Sequence, residues 1–489
     1  MAAYQMNFNQ DFTSLSVLSS GGLRLYSIAG QDRVEEIFAK DNTEQIRIVE
    51  RLFNSSLVVL VTAQKPNCLK MLHFKKKQDI CNCFYPSEIL CVRMNRQRLI
   101  VCLAESIHIH DIRDMKILHS IENIAPNELG LCALSLNSHL AFPICQSSGE
   151  LRIFNANKLR TGMTIKAHDT PLSALTFSPS GALLATASER GTVIRVFCVK
   201  NGQRVQEFRR GVKRCVRIAS LVFAAAGDFL CASSNTETVH VFKIDARAVE
   251  VAELKAIAEV AAKADTQTKE ATDAAAAGAA AEDANSEAAS ATASSTSSWG
   301  GMFSKAVSSL LLPAQVSDVL AQDRAFATVV LPQSGLKNIC ALTHVQKELR
   351  LLIACEDGFL YMHDFNAERG GACKLLAVHD LRGALEDVIE LQLSESILKT
   401  QSKSLPATTT TTTTLPQQSL TMLKSCAASV LIENPEPVAD NSYAGILRGE
   451  QADAMSDSAK FRKLCDAIDT PTKLYDERQF PPVAIMAKD

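Results

Sequence analysis

Short apolar runs broken by polar turns recur along most of the chain, and two of them share one rhythm. Residues 175–197 read LTFSPSGALLATASERGTVIRVF, and residues 221–242 read LVFAAAGDFLCASSNTETVHVF. Phe177 matches Phe223, Gly181 matches Gly227 and Thr192 matches Thr238; a one-residue gap then sets Arg195 opposite His240. In each unit an apolar strand ends at a Gly-containing turn. A strand of small and apolar residues follows, then a polar turn, then an alternating strand ending in an aromatic residue. The spacing is close to the roughly 40–45 residues of a four-stranded propeller blade.

Weaker copies lie at 8–28, 57–74, 99–112, 140–154 and 351–365. With the two strong units they make seven. One such sheet cannot bury both of its faces, whereas a closed ring of them can. The pattern therefore predicts an all-β, WD40-like seven-bladed β-propeller over 8–380. Three regions depart from it. Residues 245–298 are rich in Ala, Glu, Ser and Thr, and 299–320 (WGGMFSKAVSSLLLPAQVSDVL) are apolar at roughly helical spacing until Pro313. Together they read as a long insertion in the sixth blade, helical early and disordered later. Residues 381–489 hold a Thr run and scattered Pro without a sustained strand pattern, so a mostly disordered tail is expected, with 480–485 (FPPVAI) as a short docked piece.

Charge changes the picture by what it excludes. The formal net charge of −2 over 489 residues provides no basic field for nucleic acid, so any anion site must be local. The first residues carry no apolar signal core, and no apolar run approaches the roughly 20 residues of a spanning helix. A soluble chain, at most peripheral to a membrane, is expected. The 15 cysteines are mostly scattered singly through apolar runs, as small core residues of a reducing compartment would be. Cys81 and Cys83 lack a second pair at zinc spacing, and His108 and His110 lack a third ligand, so no metal or other cofactor is expected. The two histidines read as strand-surface residues. His168 before Asp169 reads as a loop histidine bonded to a neighbouring strand. No catalytic constellation is present, and no enzyme is expected.

The chemistry concentrates in EFRRG, 207–211, between the fifth and sixth blades. Adjacent arginines in a turn point to opposite sides, and each guanidinium forks onto phosphate oxygens. Gly211 permits a turn that a side chain would hinder. Thr186, Ser188, Gly191, Thr192 and Arg195 flank the pair in the fifth blade; Ser233, Ser234, Thr238 and His240 do so in the sixth. Hydroxyls and backbone amides there suit phosphate and inositol oxygens, which predicts two anion pockets, one per blade. The competing reading is a solvated turn whose arginines pair with neighbouring acids.

EFRRG, with TASERGTVIRVF before it and ASSNTETVHVF after it, resembles the PROPPIN family of phosphoinositide-binding propellers. IVERLFNSSLVV (48–59), NRQRL (95–99), LCALSLN (131–137), RAFATV (324–329) and KNICAL (337–342) agree, so the resemblance covers nearly all of 8–380. It implies binding of phosphatidylinositol 3-phosphate and the 3,5-bisphosphate at two rim sites. The first would use Thr186, Ser188, Gly191, Thr192, Arg195 and Arg209; the second Arg210, Gly211, Ser234, Thr238 and His240. It also implies that 299–320 is a membrane loop, with Trp299, Met302 and Phe303 entering the headgroup–acyl boundary and Lys305 on lipid phosphate. A third implication is a face between blades two and three, marked by Arg96 with Arg98 in support, that receives an acidic helical motif of an autophagy adaptor. Arg96 and Arg98, two apart on a strand, are expected to face one side. The function implied is a monomeric cytoplasmic scaffold, peripheral on forming autophagosomes and endosomes. The alternative is a WD-repeat protein-interaction scaffold that needs no lipid.

Overall fold

The computed structural model describes residues 4–28, 34–41, 45–210, 215–259, 324–382 and 456–469. Seven sheets make up the fold: six are four-stranded and antiparallel, and that of blade six adds a fifth strand, Gly371–Ala372, paired parallel to Ala327–Val330. Blade one runs from Gln5–Phe8 to Glu35–Asp41, blade two from Ile46–Arg51 to Gln78–Phe84, and blade three from Cys91–Met94 to Ile117–Ile121. Blade four runs from Ala133–Leu134 to Arg160–His168, and blade five from Leu172–Phe177 to Arg204–Arg209. Blade six comprises Ile218–Phe223, Phe229–Ser234, Thr238–Lys243 and Ala327–Val330, and blade seven runs from Asn338–Val345 to Leu375–Asp380. The repeat period thus carries through to an all-β seven-bladed propeller.

Burial follows position within the blade. The second strands of blades two, five and six (Leu57–Thr62, Leu183–Ser188, Phe229–Ser234) are buried along their whole length. A neighbouring blade covers each face, so small and apolar residues such as Ala185, Ala187 and Ala232 occur on both. In the outer strand of blade one, Glu35–Asp41, only Phe38 is buried. The innermost strands surround a central channel of about 590 Å³ lined by Asn7, Val49, Glu50, Arg93 and Ser173 among others. There Glu50 is buried, accepts Arg93 at 2.8 Å and Asn7 at 3.1 Å, and has its pKa raised by desolvation against the pull of Arg93. The ring closes by side-chain packing. Phe8, Leu15, Val17 and Tyr26 of blade one share a cluster with Ala341, Leu352, Ala354 and Leu360 of blade seven.

Two segments interrupt the blades. Residues 246–259 form a helix, α1, leaving the third strand of blade six. Ala252 and Ala256 on it pack on Cys198 of blade five. The fourth strand of blade six follows only at Ala327, so the insertion lies between those two strands. The tail contains a helix, α2, at Asp457–Asp469, where the sequence pattern gave no element. The proposed docked piece at 480–485 lies outside the described residues.

Candidate functional site

The site is built on two equivalent rows of side chains in blades five and six. In blade five, Thr186, Arg195 and Glu207 stand directly opposite one another on the second, third and fourth strands. Opposed residues of an antiparallel ladder project to one face, and Arg209 joins them two positions beyond Glu207. Arg195 donates from Nε to Glu207 Oε2 at 2.9 Å and from Nη1 to the Ala167 carbonyl at 2.6 Å. Arg204 and Arg209 also reach Glu207, at 3.0 and 3.2 Å. Burial pushes the Glu207 carboxyl up, but the hydrogen bond and charge of Arg195, with the charges of Arg204 and Arg209, outweigh it and hold its pKa low. One carboxylate thus spreads three guanidinium groups around itself. The Thr186 hydroxyl, fully buried, pairs with His168 Nε2 at 2.9 Å. Burial first, and the Arg195 charge second, lower the His168 pKa to about 4, so this imidazole is neutral at pH 7.

Blade six has the same row with different chemistry. Ala232, His240 and Thr328 occupy the places of Thr186, Arg195 and Glu207. With no carboxylate in that row, Arg210 bonds Thr236 Oγ1, which in turn lies 3.0 Å from the buried Ser234 Oγ. Among the described residues, neither Arg210 Nε nor His240 Nδ1, both buried, has a hydrogen-bond partner. Desolvation lowers the Arg210 pKa, and only Glu237 opposes it. Burial, then the Arg210 charge, lowers His240 to about 4. Thr238 opens the third strand beside it, half-buried. A half-buried cation whose Nε is buried, next to two hydroxyls and a neutral imidazole, is an arrangement an anion would complete.

The backbone holds the two rows at a fixed offset. Phe208, before the arginines, is buried and stacks on Phe242 of blade six at 4.8 Å between centroids. The Arg210 amide donates to the Thr192 carbonyl at 3.0 Å. Gly191, at φ +59, closes a turn onto Ser188 and lies so near the approach to blade six that a Cβ would stand 2.0 Å from the Val216 carbonyl oxygen. Thr192 is half-buried and Ser188 buried beside it. Arg209 ends a strand rather than lying in the turn. The pair still divides, Arg209 toward Glu207 of blade five and Arg210 toward Thr236 of blade six. Gly211, Trp299, Met302, Phe303 and Lys305 lie outside the described residues. Glu207, Thr236 and His168 were absent from the expected site. The alternation of Glu207 with Arg209 on one strand was the available signal for the first.

Arg96 and Arg98 do not face one side. Arg96 sits in the turn before the second strand of blade three, where strand alternation does not apply, and its guanidinium lies 4.5 Å over the Phe53 ring of blade two. Arg98 opens that strand and turns the other way, donating to the Ala156 carbonyl of blade four at 2.9 Å. Both still line one surface cleft of about 360 Å³ with Asp111, Arg113 and Asn157. His108 and His110 are buried rather than on the strand surface. His108 pairs with Ser120 at 2.8 Å, and His110 with Tyr85 at 2.8 Å and the Met115 carbonyl at 3.0 Å. Among the described residues no three of His, Cys, Asp or Glu gather as metal ligands.

A family model described as PROPPIN matches residues 2–257 and 279–382. The chain is 47% identical over 395 residues to WD repeat domain phosphoinositide-interacting protein 2 of Mus musculus, covering 80% of each. It is 33% identical over 390 residues to Autophagy-related protein 18 of Caenorhabditis elegans, covering 77% of this chain and 85% of that protein. Among solved structures, the complex of KlAtg21 with the coiled-coil of AgAtg16 aligns at a TM-score of 0.56 and 25% identity, over 78% of this chain and all of that one. Kluyveromyces lactis Hsv2 aligns at 0.55 and 17% identity with the same coverage, a likeness of fold.

Proposed function

The chain belongs to the PROPPIN family, and on that premise we propose that it docks on phosphoinositide-bearing membranes through two pockets flanking Arg209 and Arg210 and acts there as a non-catalytic scaffold for autophagosome assembly. The relatives support the lipid by name, as phosphoinositide-interacting proteins, and the process by the name Autophagy-related protein 18. The observation that carries the reading is the pair of buried nitrogens, Arg210 Nε and His240 Nδ1, without hydrogen-bond partners among the described residues, beside Ser234 and Thr236. A phosphomonoester offers the oxygens and the charge both lack.

Each pocket has its own means of holding phosphate. In blade five, Arg195 and Arg209 are spread by Glu207, with Thr186, Ser188, Gly191 and Thr192 along the same blade edge. In blade six, Arg210 supplies the charge and Ser234, Thr238 and His240 the surrounding donors, with Gly211 next to Arg210 in sequence. One headgroup binds weakly. Two on the same membrane raise avidity through effective concentration, about 10²–10⁴-fold where geometry allows both to engage. Trp299, Met302 and Phe303 would add apolar insertion and Lys305 a phosphate contact, by the chemistry of their side chains. The propeller then presents Arg96 and its cleft, three blades away, to an acidic helix of an adaptor. The coiled-coil bound to KlAtg21 in its solved complex is a helical partner of a related chain.

Flotation on liposomes containing phosphatidylinositol 3-phosphate tests the lipid reading. Wild type should float and folded Arg209→Thr/Arg210→Thr should not. Equal flotation would leave a scaffold that needs no lipid.

A further inference from the structure

The groove between blades two and three already holds a helix, and it is the chain's own. Leu464 and Ala467 of α2, three apart and so on one helical face, are both fully buried. They belong to one apolar cluster with Phe53 and Leu57 of blade two and Ile112 and Met115 of blade three. Ile468, Cys81 and Cys83 pack against its edge. Polar contacts fix the register. The Ser56 amide donates to the Ala467 carbonyl at 3.0 Å, satisfying a carbonyl of the last helical turn. Asp466 pairs with Lys76 and lies 3.3 Å from His73 Nε2. His73 Nδ1 accepts the Lys76 amide, which puts the imidazole proton on Nε2, toward that carboxylate. Asp466, in turn, has its pKa lowered chiefly by the Lys76 bond.

The helix has little reason to form elsewhere. Thirteen residues fall at the margin for an isolated helix, and outside its short apolar stripe α2 is charged, with Lys460, Arg462 and Lys463 balancing Asp457, Asp466 and Asp469. Its N-terminus is capped by Ser456, whose Oγ accepts the Ala459 amide at 3.3 Å. Two buried side chains, one backbone bond and one ion-paired carboxylate make a seat that is specific yet small. The seat also borders the cleft of Arg96. Phe53 lies beneath the Arg96 guanidinium and in the cluster that covers Leu464, and Cys465 is within electrostatic reach of Arg113 and Asp111.

We propose that residues 457–469 are an internal ligand of this groove. The groove selects a helix with an aliphatic residue, a carboxylate two positions on and a small residue at the third. An adaptor helix of that chemistry gains the face only by displacing α2. The second part rests on the reading of the Arg96 face as a partner site; the first does not.

The test titrates a labelled peptide of residues 456–469 with the full chain and with full-length Leu464→Asp/Ala467→Arg. A tethered competitor acts at an effective concentration on the order of mM, so the peptide should bind the variant at least about tenfold more tightly than wild type. Lys76→Glu added to that variant should weaken the peptide, and a peptide carrying Asp466→Lys should recover binding. Amide exchange at Ser56 should be slower in wild type than in the variant. Equal peptide affinity for both chains, or no binding to either, overturns the proposal, as does equal exchange at Ser56. A concentration-dependent wild-type dimer that the variant abolishes would place α2 on a second copy and overturn the internal seat. The partner reading fails separately: an acidic adaptor-type helical peptide that binds the variant equally with and without Arg96→Glu removes that reading and leaves the peptide result standing.

Discussion

The blade five–six rim and the blade two–three groove both present positive charge at a seam between blades, yet they are finished differently. In the groove Arg98 holds the Ala156 carbonyl, Lys76 holds Asp466, Arg96 lies over the Phe53 ring, and the apolar floor lies under Leu464 and Ala467. At the rim, blade five anchors three arginines on Glu207, while blade six has Thr328 where that acid would stand and leaves Arg210 Nε and His240 Nδ1 unpartnered among the described residues. A buried polar atom without a partner is costly, and a fold tolerates it where function uses it. On the proposed reading, the contrast separates a rim open to a ligand from outside from a groove seated by a ligand the chain also carries.

The sharpest way to break the rim is through its backbone. Gly191→Val would set a side chain against the Val216 carbonyl at a positive φ, so a loss of about 2–4 kcal/mol is expected in denaturant unfolding, with both pockets disordered together. Next comes Arg210→Thr, which should separate stability from function. Headgroup affinity should fall roughly ten- to a hundredfold, as for a lost charge-assisted bond. Removal of a half-buried cation with an unsatisfied Nε should leave the melting temperature unchanged or higher. A large drop in melting temperature would make Arg210 a structural residue instead.

A further effect is expected with pH. His110, His168, His240 and His363 are each lowered to about 4, with burial as the first cause. The unfolded histidines take up protons near pH 6.5 and the folded ones do not, so their contribution is complete above about pH 6.5 and is lost as pH falls toward 4. Melting temperature should therefore decline from pH 7 to pH 5, and a flat profile would contradict the buried neutral imidazoles. The smallest effect belongs to the groove. Leu464→Asp should cost the propeller no more than about 1 kcal/mol in calorimetry, since α2 covers the ring without closing it, and should leave flotation unchanged.

Much of this was legible in the sequence because repetition makes local signals mutually supporting. Gly181 and Gly227, at φ +68 and +83, close the same turn in successive blades, and the matched phenylalanines before them mark the same buried strand end. The division of Arg209 and Arg210 between blades was readable because adjacent residues diverge. The orientation of Arg98 was not, since its Ala156 acceptor comes from the next blade and Arg96 lies in a turn. Helix α2 was missed because its stripe, Phe461, Leu464, Cys465 and Ile468 at helical spacing, spans only two turns inside a long tail that was read for strand patterns. The acid–arginine row needed strand register: Arg195 and Glu207 are twelve positions apart in sequence and face to face in the sheet.

The central claim, two pockets on adjacent blades sharing one arginine pair, is tested most directly by the stoichiometry of a soluble headgroup. Titration calorimetry with inositol 1,3-bisphosphate should give two headgroups per wild-type chain. Arg210→Thr should reduce this to one, Arg209→Thr likewise to one at the other blade, and the double variant to none. A stoichiometry of one in wild type, or of two in the folded double variant, would contradict the account.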